Sequence, residues 1–258
     1  MSNIEYMEDY KKRLALAIAE TGALFMDSDL VLKDGRPTPY FVNMGKFKTG
    51  RLSLELGSIL ADMIVDSRLV NEVDIILGPS YKGSSIALAT AISLWKDHGI
   101  DLMFEYDRKE PKSHGEASTS KSMFVTGAFF DGCRIVIVDD VATSMKTKYD
   151  ILNKIYQEAD KLNIRCHVKG LVIAVDREQT GPVYDQHNRL VLDTKGTNAT
   201  HEFVSRTGVP VFSVAGIREI FDYLYSSKIP LLVNGTRRPI NREIMENLNE
   251  YFELYGTD

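Results

Sequence analysis

Two adjacent carboxylates, Asp139 and Asp140, directly follow a run of β-branched residues at 135–138. Such a run is typical of a strand that is buried on both faces of a parallel sheet. Small and hydroxyl residues follow at 142–144, and a helix is predicted from Met145 onward. Ligands of open α/β sheets bind beyond the carboxyl ends of the strands, and the free N–H groups of a first helical turn bind anions. The segment therefore predicts recognition of a ligand with both a diol and a phosphate, such as a phosphorylated ribose.

The same residues also have simpler explanations. A buried strand followed by an aspartate that caps a helix needs no ligand, and the strand–turn–helix shape alone favours this interpretation. An acidic pair can also hold Mg²⁺ in several phosphate-handling folds. The acidic pair alone is therefore compatible with a helix cap, a metal site or a ribose site.

Two more polar segments follow predicted strands. The strand predicted at 73–77 ends in the sequence GPSYKG, which places Lys82 in a glycine-bearing turn, and the strand predicted at 168–175 ends at Asp176 and Arg177. A tight connection explains one such turn about as well as a ligand does. Because the carboxyl ends of parallel strands meet at one edge of a sheet, we expect all three segments to open to the same side.

A long polar segment at 107–122 lacks any periodicity and is rich in cations. An ordinary solvated loop would explain the polarity. The segment is longer than most loops in compact domains, however, and loops of this length are often lids over binding sites. A basic lid suits a polyanionic substrate such as diphosphate. The cations are Arg108, Lys109, Lys112, His114 and Lys121.

The remaining elements must position these segments. Residues 30–33 and 40–43 predict a hairpin, either an edge hairpin that fills a small core, which spacing alone favours, or a flap that carries Lys33, Arg36 and Phe41 over a pocket. Strands alternate with helices along the chain, which favours an α/β fold with a mainly parallel sheet. The other predicted elements are strands at 102–106 and 209–214 and helices at 4–21, 49–69, 84–97, 149–162, 200–207, 217–225 and 240–254.

The composition excludes several classes of protein. The 258 residues, 44% of them hydrophobic, suffice for one large domain. The net charge of −5 argues against a protein whose main task is to bind nucleic acid, since phosphate neutralisation needs a basic surface. Two cysteines are too few for a disulfide framework, which favours the cytoplasm. Neither a membrane span nor a secretory signal is predicted, because no apolar run is long enough.

Taken together, these segments resemble the orotate phosphoribosyltransferases, a family of type I phosphoribosyltransferases, over roughly residues 22–225. KDGRPTPYFVN resembles the family's orotate-side hairpin, GPSYKG its diphosphate turn, and YDRKEPKSHGEA its mobile catalytic loop. VDDVATSMKT resembles its ribose-phosphate loop, and VDREQTG its later arginine site. The chain has Met145 where the family usually has Gly, Lys146 where it usually has Thr, and Val42 where it commonly has a second Phe.

The resemblance implies a single phosphoribosyltransferase domain over residues 1–258, with a central, mainly parallel sheet flanked by helices. Residues 22–48 would form a small hood hairpin and residues 107–122 the mobile loop. Residues 181–200 would be an insertion, to which no chemistry is assigned, and residues 238–258 a C-terminal helical tail.

The resemblance also implies a role for individual residues. Lys112 would be the main catalytic residue, and Asp139 and Asp140, also catalytic, would hold the ribose hydroxyls. Arg177 would lie near the carboxylate of orotate, and Lys33 between the two substrates. The residues implied to bind phosphoribosyl diphosphate are Tyr81, Lys82, Arg108, Lys109, Lys112, His114, Asp139 and Asp140, with Val141, Ala142, Thr143, Ser144, Met145, Lys146 and Thr147 at its 5-phosphate. The residues implied to bind orotate are Lys33, Phe41, Val42, Thr143 and Arg177.

The implied reaction is Mg²⁺-dependent transfer of ribose 5-phosphate from phosphoribosyl diphosphate to orotate, which gives orotidine 5'-monophosphate and diphosphate in pyrimidine nucleotide synthesis. The substrate's diphosphate would hold Mg²⁺, without a direct protein ligand, and each active site would be shared across a homodimer. Two alternatives stay open: a phosphoribosyltransferase for another base, and a non-catalytic regulatory protein that binds phosphoribosyl diphosphate. Met145 and Lys146 favour the regulator, whereas Lys112 and His114 favour the enzyme.

Overall fold

The central sheet of the protein contains five parallel strands in the part of the chain that the structure describes. The structure, a computed structural model, describes residues 7–110, 122–142 and 145–257. The strands are β3 (Ile75–Gly78), β4 (Met103–Tyr106), β5 (Cys133–Ala142), β6 (Cys166–Asp176) and β9 (Val211–Gly216). Their order is β4–β3–β5–β6–β9, and every neighbouring pair is parallel. The predicted α/β fold with a mainly parallel sheet is therefore confirmed.

Helices cover both faces of this sheet. Alternate residues of β5 point into different cores: Val136 and Val138 pack in the core that includes α1, α2 and α6, and Ile135 and Ile137 in the core that includes α4 and α5. This two-sided burial explains the unbroken β-branched run. The helices are α1 (Asp9–Thr21), α2 (Gly50–Asp66), α3 (Lys82–His98), α4 (Lys146–Leu162), α5 (Ala199–Thr207), α6 (Ile217–Ser226) and α7 (Arg242–Tyr255).

A second sheet lies beside the central one, and we call it the hood sheet. Its strands are β1 (Leu24–Met26), β2 (Tyr40–Val42), β10 (Pro230–Val233) and β11 (Thr236–Pro239), in the order β11–β10–β1–β2. β1 pairs with β2 in antiparallel and with β10 in parallel orientation. The sequence did not predict β1, β10 or β11.

The predicted strand at 30–33 is wrong. Residues 30–37 form a loop with one isolated bridge, between Val31 and Pro37. The loop closes tightly, because the N–H of Leu32 donates to the carbonyl of Arg36 at 2.8 Å and the N–H of Gly35 to the carbonyl of Leu32 at 2.9 Å. Prolines at 37 and 39 have no N–H to donate to a ladder. β2 therefore pairs with β1 instead.

The predicted insertion and tail both form regular structure. Within residues 181–200, β7 (Val183–Tyr184) and β8 (Leu190–Val191) make an antiparallel hairpin. The tail forms α7, which buries Leu248, Phe252 and Tyr255 against the body of the protein. None of the helices in the described ranges is long and apolar enough to span a membrane.

Candidate active site

The strands β3, β5 and β6 open onto one cavity of about 790 Å³ at their carboxyl ends. The hood-sheet strand β2 and the loop that precedes it also line the cavity. The edge predicted from the sequence is therefore a concave site. The predicted site residues that line it are Lys33, Phe41, Val42, Tyr81, Lys82, Asp139, Asp140, Val141, Thr147 and Arg177.

Other predicted site residues do not line the cavity. Ala142 and Met145 are buried in the hydrophobic core beneath α4, and Lys146 is exposed. Lys109 places its ammonium nitrogen 5.2 Å from the ring centroid of Tyr81, a residue that does line the cavity. Lys112, His114, Thr143 and Ser144 lie outside the described residues.

A close approach of two glycines joins β3 to α3 at the cavity. A Cβ atom on Gly78 would lie 1.8 Å from the carbonyl oxygen of Gly83, which excludes any side chain there. The helix begins at Lys82, two residues earlier than predicted, so Lys82 lies in the first helical turn. The N–H of Ser80 donates to Asp107 Oδ1 at 2.6 Å. This bond ties the turn to the start of the predicted lid.

Buried carboxylates anchor both ends of the predicted lid where the structure describes them. Asp107, 5% exposed, pairs with the ammonium of Lys154 on α4. Glu105, fully buried, accepts hydrogen bonds from backbone N–H groups of residues 106 and 125–128. A carboxylate that satisfies several backbone N–H groups fixes a loop strongly. The chain on either side of the predicted lid is therefore held in place, and Asp107 is tied to the cavity through Ser80.

The two carboxylates of the acidic pair have different partners. Asp140 Oδ2 lies 3.0 Å from the ammonium of Lys82, whose side chain is 59% exposed. Asp139 Oδ2 lies 2.8 Å from the ammonium of Lys148, and both of these side chains are buried. Lys148 also donates to the carbonyl of Val141 at 3.1 Å. Asp140 thus has a partner that a ligand can displace, whereas Asp139 belongs to a buried ion pair.

Burial raises the pKa of the Asp139 carboxyl above its usual value, and the Lys148 cation opposes that rise. The sequence interpretation missed Lys148. The signal was its spacing, because Lys148 stands on the same helical stripe as the buried residues Ile151, Leu152 and Ile155. A lysine in register with an apolar stripe predicts a buried charge that needs a partner.

Met145 lies at the entrance to α4, where the resemblance leads us to expect a glycine. Its φ of 56° and ψ of 0° lie in the left-handed region, which explains why glycine suits this position. The Met145 side chain is 2% exposed and packs in the core with Ile151 and Leu152. The side chain therefore points away from the cavity and leaves the first turn of α4 unobstructed.

Two buried arginines lie on the hood side of the cavity. Arg36 pairs with Asp34 at 2.8 Å and donates to the carbonyl of Thr180 at 2.8 Å. Although partial burial opposes the effect, Arg36 holds the pKa of Asp34 below its usual value. Arg177 is 5% exposed and lies over the ring of Tyr40, 5.0 Å from its centroid.

Arg177 differs from Arg36 in that no anionic partner is found for it among the described residues. Its side-chain hydrogen bond is a long one, 3.5 Å to the hydroxyl of Thr38, and its Nε atom has no hydrogen-bond partner in the part of the chain that the structure describes. No carboxylate in the described part of the chain pairs with it. A buried guanidinium is costly without an anion, so its place in the cavity lining favours an anionic ligand.

The described residues contain no group of three or more His, Cys, Asp or Glu side chains that could hold a metal ion. Among the described carboxylates that line the cavity, Asp140 is the one whose ion-pair partner, Lys82, is mostly exposed to solvent. Mg²⁺ usually binds through one or two carboxylates, several waters and substrate phosphates. Asp140 is thus a carboxylate that a phosphate-bound Mg²⁺ could approach, and the role of Mg²⁺ belongs to the proposal below.

No protein-family model matches the chain. Among curated proteins, the orotate phosphoribosyltransferase of Bifidobacterium adolescentis is 33% identical over 232 residues, which cover 88% of this chain and 90% of that protein. The chain belongs to the orotate phosphoribosyltransferase family. The orotate phosphoribosyltransferase of Clostridium beijerinckii is 31% identical over 250 residues, which cover 97% of this chain and 99% of that protein. The resemblance found in the sequence is thus confirmed.

A solved structure of the orotate phosphoribosyltransferase of Francisella tularensis superimposes with a TM-score of 0.68 at 24% identity. The superposition covers 93% of this chain and 98% of that one. At this identity the likeness supports the fold alone, and it confirms the expected type I phosphoribosyltransferase architecture. The roles that the resemblance implied for individual residues stay predictions.

Proposed function

We propose that the protein transfers ribose 5-phosphate from phosphoribosyl diphosphate to orotate, releasing diphosphate and forming orotidine 5'-monophosphate. The observation that carries this proposal is the buried guanidinium of Arg177, which lines the cavity and has no carboxylate partner among the described residues. The carboxylate of orotate would supply the missing anion. A neutral base offers no such group, so the arginine favours orotate over a purine or uracil.

The rest of the cavity suits the second substrate. Asp140 and the first turn of α4 lie at the ends of adjacent elements, where ribose hydroxyls and a phosphate would bind. Lys82 and Lys33 add cations to the lining. A volume of about 790 Å³ lies within the usual range of roughly 300–1,000 Å³ for ligand pockets.

The chemistry needs charge stabilisation rather than a strong base. Orotate is already an anion, and departure of diphosphate leaves positive charge on ribose carbon 1. The carboxylate of Asp140 would favour that cation, and Lys82 and Lys112 would favour the leaving group. Bound Mg²⁺, held mainly through the diphosphate, would neutralise part of the charge on the leaving group. Closure of the predicted lid would exclude water and prevent hydrolysis.

A homodimer with shared active sites is part of the proposal. Leu88, Ile92 and Trp95 form a stripe on α3, at spacings of four and three residues, and they are 40%, 46% and 60% exposed. An apolar stripe of this kind supports a contact with a second copy. Mixing inactive Lys112→Ala and Asp140→Asn subunits should restore part of the activity if the lid serves the neighbouring site. Equal inactivity of the mixture would contradict shared sites.

The proposed reaction is tested by the loss of orotate absorbance in the presence of phosphoribosyl diphosphate and Mg²⁺, with each omitted in turn. Consumption that requires all three components supports the proposal. Turnover of uracil, adenine or hypoxanthine in place of orotate would instead support a phosphoribosyltransferase for another base. Calorimetric binding of phosphoribosyl diphosphate without turnover of any base would support a regulatory protein.

A further inference from the structure

Part of the segment 181–184 lines the same cavity as the described residues implied to bind orotate. Gly181, Pro182 and Tyr184 contribute to its lining, together with Phe41 and Arg177. These residues belong to the insertion, for which the sequence motifs suggest no role. The insertion is therefore part of the site rather than a distant embellishment.

The loop that carries Lys33 holds this segment in place. The guanidinium of Arg36 donates to the carbonyl of Thr180 at 2.8 Å and approaches that of Gly181 at 3.4 Å. A Cβ atom on Gly35 would lie 3.2 Å from the side chain of Leu190, so the hairpin packs directly against the loop. The insertion and the Lys33 loop thus lie on the same side of the cavity, where Arg177 also lies.

The C-terminal helix fixes both ends of the hairpin. The carbonyl of Tyr255 accepts hydrogen bonds from the N–H and the hydroxyl of Thr180, at 2.8 and 3.0 Å. The Tyr255 hydroxyl donates to Asp193 Oδ1 and accepts from the N–H of Asp193, both at 3.0 Å. The guanidinium of Arg36 lies 5.6 Å from the Tyr255 ring centroid. The tail of the chain therefore braces the insertion against the hood side.

A glycine contact closes the neck of the hairpin. A Cβ atom on Gly196 would lie 2.0 Å from the carbonyl oxygen of Gly181, and the N–H of Gly181 donates to the carbonyl of Thr197 at 2.8 Å. The two arms of the hairpin are therefore in direct contact at residues 181 and 196, the first of which lies three residues before Tyr184.

The aromatic side chain of Tyr184 is suited to contact a planar ring. Its side chain is 48% exposed, and Phe41, also in the cavity lining, is 37% exposed. Stacking on an exposed aromatic face is a common way in which proteins bind planar heterocycles. The lining thus offers aromatic surface for a base and Arg177 for its anionic group.

We propose that residues 181–184 form a wall of the base subsite, and that Tyr184 determines affinity for the planar base. The proposal rests on the proposed function. The C-terminal helix holds this wall through Tyr255, which assigns a purpose to both the insertion and the tail.

The test compares Tyr184→Ala with Tyr184→Phe and Leu192→Ala. Leu192 lies in the same insertion and is also 48% exposed, but it does not line the cavity. Tyr184→Ala should raise the KM for orotate about tenfold, equivalent to about 1.4 kcal/mol, and leave the KM for phosphoribosyl diphosphate within about twofold. Tyr184→Phe keeps the ring and should therefore keep the orotate KM of the wild type, and Leu192→Ala should not change the KM for either substrate. An unchanged orotate KM, equal changes for both substrates, or the same effect from Leu192→Ala would overturn the proposal.

A binding measurement separates this inference from the reaction. If the wild type does not consume orotate, the proposed function fails, and calorimetry with orotate, uracil and hypoxanthine then tests the wall. Any of these bases that binds the wild type should bind Tyr184→Ala about tenfold more weakly. Binding of none of them, or equal binding to both proteins, would overturn the wall.

Discussion

Replacing Lys148 with methionine tests the buried ion pair in the cavity lining. The Lys148 ammonium lies 2.8 Å from Asp139 Oδ2, and the two residues are 5% and 7% exposed. Methionine keeps most of the apolar stem of lysine but removes the cation and its hydrogen bond to the carbonyl of Val141. The carboxylate of Asp139 would then remain buried without its cation.

The expected loss is large because so little water reaches the pair. Removing one partner of a buried ion pair typically costs about 3–5 kcal/mol. Protonation of Asp139 limits this cost, since burial already raises its pKa and loss of Lys148 raises it further. We therefore expect Lys148→Met to lower the free energy of unfolding by about 3 kcal/mol at pH 7.5.

The pH dependence of this loss has a defined sign. A carboxyl with a raised pKa in the folded state binds more protons there than in the unfolded state. The folded protein therefore loses stability as the pH rises through that pKa. The variant should approach the stability of the wild type as the pH falls toward about 3.9, the ordinary pKa of aspartate.

Urea unfolding followed by tryptophan fluorescence, at pH 7.5 and pH 5, measures both effects. Lys146→Met is the matched control, because Lys146 is exposed in the same helical turn and its removal should change stability by less than about 0.5 kcal/mol. The double variant Lys148→Met with Asp139→Asn should recover most of the loss, since no charge stays buried. A loss below about 1 kcal/mol, or one independent of pH, would refute a buried, charged pair.

Three further predictions concern the cavity. Arg177→Gln should raise the KM for orotate about a hundredfold and the KM for phosphoribosyl diphosphate less than about threefold, because a charge-assisted hydrogen bond is worth up to about 3 kcal/mol. Equal changes in the two KM values, measured by steady-state kinetics, would contradict the placement of Arg177 beside orotate. Lys112→Ala should lower kcat on the order of a hundredfold or more with an unchanged circular-dichroism spectrum, since an electrostatic donor supplies about 3–4 kcal/mol; wild-type turnover would remove Lys112 from the mechanism. Met145→Gly should lower the free energy of unfolding by about 1–3 kcal/mol, because the loss of the buried methionine side chain outweighs the gain from placing glycine at a left-handed φ. A variant that is more stable than the wild type in urea unfolding would show that the packing of Met145 contributes little.

The central sheet and its helices were predictable from local pattern. The run at 135–138 is buried on both faces, so every residue in it is apolar and the strand stands out. The stripe on α2 and its cap at Thr49 predicted that helix to within a few residues, and Thr49 does accept a hydrogen bond from the N–H of Leu52. The residue pattern that identifies such an element lies within a short stretch of the sequence.

The hood sheet was not predictable in the same way. β1 and β10 pair in parallel although they are about 200 residues apart, and each has only three or four residues. Strands this short carry little periodicity, and nothing local identifies their partners. Turn-forming residues after position 33 led to the prediction of a hairpin strand at 30–33. In the structure these residues belong instead to a loop that closes on itself.

The site was predictable in its position and less so in its details. Parallel strands end at one edge, so Lys82, Asp140 and Arg177 were expected together, and all three line the cavity. Which cations have partners depends on three-dimensional neighbours. The sequence therefore did not reveal the buried ion pair of Lys148 with Asp139, or the absence of a described carboxylate beside Arg177. Both features are seen in the structure.

Phosphorus-31 NMR of a single reaction tests the proposed function most directly. Phosphoribosyl diphosphate, orotate, Mg²⁺ and the protein are combined, and the phosphorus signals are followed with time. We expect the substrate signals to be replaced by those of orotidine 5'-monophosphate and diphosphate in equal amounts. Unchanged signals, or ribose 5-phosphate in place of the nucleotide, would contradict transfer to orotate.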